Sequence, residues 1–121
     1  MDLAALLSSV KQHPDFPKAG MVLCHNGVVR ETSRDGRRVT GLRVSVDHDR
    51  LREIVETNRQ RKGIVDIRVE IAEETDLEIG DDVMVLIVAG DIRETVIDTL
   101  RETLDAIKTT VTRKTEFFTD D

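Results

Sequence analysis

The spacing of apolar positions changes several times along the chain, and each change marks an element. Over residues 2–12, Leu3, Leu6, Leu7 and Val10 recur at helical spacing, a stripe that begins after Asp2 and stops at His13-Pro14. From Gly20 the run GMVLCHNGVVRET is apolar at both alternating sets of positions, which predicts a strand covered on both faces. Ser33-Arg34-Asp35-Gly36 then supplies a turn, so RRVTGLRVSVD is expected to return as a hairpin partner. In that segment Leu42, Val44 and Val46 share one face while Arg43 and Ser45 share the other, the pattern of a strand wet on one side.

Asp47 is placed to cap a helix over about residues 48–61, with Leu51, Ile54 and Val55 on its buried face and Gly63 ending it. IVDIRVEIA, residues 64–72, predicts a third strand, EETDLEIGDD a turn, and VMVLIVA, residues 83–89, an uninterrupted central strand. Asp91 is the expected N-cap of a long helix carrying Ile92, Val96, Ile97, Leu100, Leu104 and Ile107 as its stripe. VTRKTEFF is a candidate last strand. Hairpin, helix, hairpin, helix, strand is the order of an α+β fold, a mainly antiparallel sheet with helices packed on it.

Composition narrows the function classes. A chain of 121 residues is expected to form a single domain with one core, with residues 1–19 as an N-terminal helix and connector and Thr119 to Asp121 as a frayed tail. Three Phe and no Trp or Tyr leave that core to aliphatic side chains. No apolar run reaches membrane-spanning length and MDLAALLSSVKQH lacks a basic signal-peptide start, so a cytoplasmic location is expected. Cys24 is the sole cysteine, which excludes an internal disulfide framework. The formal net charge of −6 argues against a general nucleic-acid surface. Any anion site must therefore be local.

Five cations are candidates for such a site. Lys108, Arg113 and Lys114 stand in IKTTVTRK at the end of the long helix and beyond it. A cation at Lys108 equally suits the helix dipole, for about 0.3 to 1 kcal/mol. Arg113 and Lys114 have the plain alternative of exposed charges on a strand. Period-2 counting sets Arg30 on the face of Val22, Cys24 and Val28, at the end of an apolar surface, where an anion or an internal carboxylate would meet it. Arg93 opens the long helix, where a cation opposes the dipole and the free N–H groups suit an anion. Fifteen residues separate Arg93 from Lys108, roughly 22 Å along a helix. A site using both would need two subunits, which predicts a symmetric dimer. Cys24 and His25 are neighbours on a strand and point to opposite faces, which argues against a Cys–His nucleophile or a metal pair. No P-loop, GxGxxG or metal-ligand spacing occurs, so neither a metal nor a cofactor is expected.

Taken in order, GVVRETSRDG, LREIVE, LEIGDDVMVLIVAG, DIRE and IKTTVTRKTEFF resemble the MoaE family, the large subunits of molybdopterin synthase. The resemblance covers about residues 20–118 and implies an α/β hammerhead fold. It also implies a homodimer that receives the C-terminal Gly-Gly tail of a small ubiquitin-like sulfur-carrier subunit, whose thiocarboxylate sulfur converts cyclic pyranopterin monophosphate to molybdopterin in molybdenum cofactor biosynthesis. In that picture Lys108 resembles the catalytic lysine, and Lys114 the second one, with a one-residue gap in the match. Arg30, Arg93 from the neighbouring subunit, and Arg113 fall to substrate binding. Three segments depart from the family pattern. Ile92 stands where a histidine usually precedes the helix-start arginine. Val46-Asp47-His48-Asp49 replaces a longer acidic and aromatic segment, and TTVTR replaces a loop with Pro and aromatics. The alternative implied by those departures is a non-catalytic dimeric paralogue that binds a phosphorylated small molecule or a ubiquitin-like partner.

Overall fold

The apolar run at 83–89 lies at the centre of the molecule. The computed structural model describes residues 1–119. Its elements are α1 (Leu3–Lys11), β1 (Met21–Val28), β2 (Val39–Val46), α2 (His48–Arg59), β3 (Ile64–Ile71), β4 (Leu77–Glu78), β5 (Asp82–Gly90), α3 (Arg93–Thr110) and β6 (Thr112–Phe118), with a 3-10 turn at Phe16–Lys18. Of the expected frayed tail, Asp120 and Asp121 lie outside the described residues, while Thr119 donates its N–H to the Arg38 carbonyl.

Two antiparallel sheets result, in strand orders β1-β5-β3 and β4-β2-β6. Because β5 is the middle strand of the first, both of its faces need cover. Met84, Leu86 and Val88 pack against α2 and α3, through Ile54, Val55, Val96 and Ile107. Val85, Ile87 and Ala89 pack against Val10, Leu6 and Leu7 of α1. All six of these β5 residues are 4% exposed or less, which explains a continuous rather than alternating apolar run. The second sheet has its own cluster, Val29, Leu42, Val44 and Leu77, joined to the first through Val46 and Ile71. Helices packed on antiparallel sheets make this the expected α+β class.

The local signals around the helices hold with small differences. The side chains of Asp2 and Asp47 accept hydrogen bonds from Ala5 N and Arg50 N, capping α1 and α2. α2 ends at Arg59, two residues short of the expected boundary. Gly63 follows with φ +87°, and a Cβ there would stand 2.5 Å from an Asp91 carboxylate oxygen. Asp91 does not cap α3 from outside; Ile92 occupies the N-cap position without a side-chain cap, and the Asp91 carboxylate accepts instead from the Ile92 N–H. The buried line of α3 is Val96, Thr99, Thr103 and Ile107, with Leu100 and Leu104 beside it and Ile92 55% exposed. Two threonines in the core were invisible to a stripe drawn through apolar residues.

β1 and β2 do not form the expected hairpin. The turn itself forms, with Ser33 N bonded to Arg37 O and Gly36 at φ +86°, and Thr32 bridges Arg38. Beyond that bridge the arms part, β1 to β5 and β2 to β4 and β6. β5 requires a ladder on each edge, and β1 meets that need. β1 is consequently an edge strand, not one covered on both faces: Cys24, Asn26 and Val28 are exposed.

Candidate functional site

α3 leaves the end of β5 at Gly90 and runs back over the sheet, so its last turn arrives where β5 begins and β1 ends. Ile107 fixes that arrival, fully buried in the cluster that holds Met84. The helix end is well held: Val111 N bonds Ile107 O, Asp47 N bonds Val111 O, and the Thr110 hydroxyl donates to Ala106 O at 2.6 Å. Lys108, next to Ile107, is thereby carried on a rigid turn and faces outward.

On β1 the phase is equally defined. Met21 and Leu23 pack into the cluster beneath α3, so His25 falls on that same face, opposite Leu86 in register and half-buried. Burial, and next the positive charge of Lys108, hold the His25 imidazole below its ordinary pKa. It is therefore neutral at neutral pH. Neither ring nitrogen has a hydrogen-bond partner among the described residues. A Cβ at Gly27 would meet His25 Nε2 at 3.4 Å, which places the ring along the strand toward its C-terminal end. Cys24 lies on the other face, where partial burial pushes its thiol up. The expected separation of Cys24 from His25 holds.

β6 starts just after α3, with Val111 buried between them. Lys114 pairs with Val44 and Arg113 with Ser45, so Lys114 shares the face of the second core and Arg113 the opposite face. Lys114 has a long contact of 3.9 Å to Glu116. Lys114 thus follows Lys108 across the junction of α3 and β6, on the face of β6 opposite Arg113.

Arg30 is not at the end of a buried face. The register slips between Gly27 and Val28, β1 stops at Val28, and Val29 is the buried residue at 3% exposure. The extra residue at that slip is Val83 on β5, so alternation along β1 continues and Arg30 does share the face of Cys24 and Val28, but that face is exposed. Arg30 Nε donates to the Thr32 carbonyl at 2.7 Å, which leaves most of the guanidinium open. Arg93 and Lys108 stand at opposite ends of the uninterrupted helix α3.

Charge pairing separates two kinds of cation here. Arg59 and Arg68 flank the buried carboxylate of Asp66, and Arg43 meets Asp76 at 3.1 Å. Among the described residues, Arg30, Arg93, Lys108 and Arg113 have no carboxylate within ion-pair distance. Lys11, Arg34, Arg37, Arg38 and Lys62 likewise have none, so the lack of an ion pair does not by itself single out these four. Sequence reasoning did not single out His25 on the α3 face of β1. Its signal was the strand phase of Met21, Leu23 and His25 together with a long helix ending above them.

His13 and His48 belong elsewhere: His13 Nδ1 accepts from Asp15 N, and His48 pairs with Glu73 at 2.7 Å. Among the described residues no group of His, Cys, Asp and Glu has the makings of a metal site, and no helix is long and apolar enough to cross a membrane. An open pocket of about 470 Å³ lies between α1 and β1, lined by Leu7, Phe16 and Cys24. It is on the side of the sheet away from His25.

The family model described as MoaE protein matches residues 1–110. Among solved structures, the chain is similar to molybdopterin cofactor biosynthesis protein E from Burkholderia multivorans, at 20% identity and TM-score 0.76, covering 99% of this chain and 87% of that one. It is similar to the molybdopterin synthase of Staphylococcus aureus at 20% identity and TM-score 0.72, covering 86% and 78%. A complex of subunits 1 and 2 of the molybdopterin-converting factor of Helicobacter pylori matches at 14% identity and TM-score 0.73, covering 100% and 86%. At these identities the likeness establishes the fold. No curated protein matches the chain by sequence.

Proposed function

The chain belongs to the MoaE protein family, and from that premise we propose that it is the large, catalytic subunit of a molybdopterin synthase. It takes sulfur from the thiocarboxylated C-terminus of a small carrier subunit and converts cyclic pyranopterin monophosphate to molybdopterin, in the cytoplasm, as a step of molybdenum cofactor biosynthesis. The observation that carries this reading is the family match through residue 110, which spans Arg30, Arg93 and Lys108.

The chemistry asks for cations more than for acids. Lys108 steadies the oxyanion formed when the carrier's acyl carbon is attacked, and Lys114 assists it. Arg30, with most of its guanidinium unengaged, suits the substrate phosphate. Arg93 is too far along α3 to reach Lys108 in its own chain, so the working unit is a homodimer in which the partner subunit's Arg93 completes the site. Arg113, on the other face of β6, has at most a peripheral part in binding. The sulfur arrives on the carrier, so Cys24 has no role in transfer.

The test is reconstitution. Purified chain, thiocarboxylated carrier and cyclic pyranopterin monophosphate are expected to yield the dithiolene product, and Lys108→Ala to abolish it. Tight binding of carrier and pterin without product would instead identify a non-catalytic binding module.

A further inference from the structure

The reaction proposed above has a proton to dispose of. The carrier enters as a thiocarboxylate and leaves as a carboxylate. When the acyl carbon loses its C–S bond it must therefore gain a C–O bond from water. Once sulfur bridges the acyl carbon and the pterin as a thioester, water adds to that carbon and the C–S bond breaks with its electron pair leaving on the pterin-bound sulfur. One of the water's two protons goes to that sulfur and the other needs an acceptor. The Lys108 ammonium suits the oxyanion but has no lone pair for that proton.

We propose that His25 is a further catalytic residue of the Lys108 site, the base that accepts the proton of the water replacing sulfur on the carrier's acyl carbon. The proposal rests on the sulfur-transfer reading of this chain. His25 lies on the α3 face of β1, half-buried, with both ring nitrogens free of hydrogen bonds among the described residues. A neutral imidazole offers one ring nitrogen as acceptor. Gly27 keeps the path beside Nε2 clear of a longer side chain. The surroundings favour the neutral form. On this face β5 presents Met84 and Leu86, both apolar, and α3 presents Lys108. The nearest carboxylate along the register, Asp82, is engaged with Asn26 on the opposite face. Lys108 thus has two effects, stabilising the oxyanion and keeping its neighbour unprotonated. Ile92, at the far end of α3 and apolar, supplies no proton acceptor of its own.

Initial rates of dithiolene formation against pH, with thiocarboxylated carrier and cyclic pyranopterin monophosphate, test the role. His25→Gln and His25→Phe are both expected to lower kcat by about 100-fold or more, with KM for the carrier held and the acid limb of the wild-type profile gone. Either variant within about threefold of wild type, or an acid limb that persists, overturns the proposal; thermal midpoints confirm that the variants fold. A second measurement needs no turnover. The NMR titration midpoint of His25 is expected to rise in Lys108→Met, and a midpoint that stays put sinks the pairing whatever the activity. A wild-type chain that transfers no sulfur while that midpoint does shift sinks the functional reading, and the catalytic role with it, but leaves the pairing intact.

Discussion

Arg93 opens and Lys108 nearly closes one unbroken helix, Arg93–Thr110, so the two cations lie roughly 22 Å apart. No small anion spans that gap within a chain. Both stand without a carboxylate partner among the described residues, and a two-fold arrangement of chains is the economical way to use both in one site.

Subunit mixing checks this. Arg93→Ala and Lys108→Ala chains, each inactive alone, are expected to recover roughly a quarter of wild-type turnover after random exchange, since half the dimers are mixed and each has one intact site. Confirmed exchange without recovery would show that Arg93 and Lys108 do not share a site.

The hydroxyls of Thr99 and Thr103 are fully buried and have no hydrogen-bond partner among the described residues. Leaving such a group unpaired costs about 1–3 kcal/mol. Thr99→Val and Thr103→Val are each expected to raise unfolding free energy by about 1 kcal/mol, read from the urea midpoint. On the same buried line of α3, Ile107→Ala should cost about 2–5 kcal/mol and disorder the turn that carries Lys108.

Gly63→Ala is expected to destabilise by more than about 1 kcal/mol. The position has φ +87°, and the added methyl would overlap the Asp91 carboxylate. Retained stability in thermal unfolding would mean that the α2–β3 turn relaxes freely.

The depressed pKa of His25 makes stability pH-dependent. The unfolded chain takes up this proton near pH ~6.5, and the folded chain only at lower pH, so the penalty is absent above that value and grows as pH falls below it. As pH falls below about 6.5 the wild type should lose stability faster than His25→Asn. Parallel curves from denaturant titrations would remove His25 as the cause.

The elements were largely legible because each was written in local code. The α1 stripe, the Asp2 and Asp47 caps, the continuous β5 run and the alternation of β2 each depend on neighbours within a few residues. Where the reading failed, a distant segment had outbid the local signal. The Ser33–Gly36 turn forms, yet β1 pairs with β5 because that strand needs a second ladder. Asp91 is a fair capping residue, but its backbone N–H is bonded to the Gly63 carbonyl and its carboxylate accepts from the Ile92 N–H.

The candidate site divides in the same way. Lys108 and Lys114 could be picked out by position and family likeness, and Arg93's distance from Lys108 follows from helix rise alone. That the charge of Lys108 reaches His25, that Arg113 and Lys114 take opposite faces of β6, and that the face of Cys24, Val28 and Arg30 is exposed were settled only by folding. Periodicity reports which face of its own element a residue occupies; which other element covers that face is a matter of long-range packing. A sequence states the first directly, and only the assembled sheets and helices decide the second.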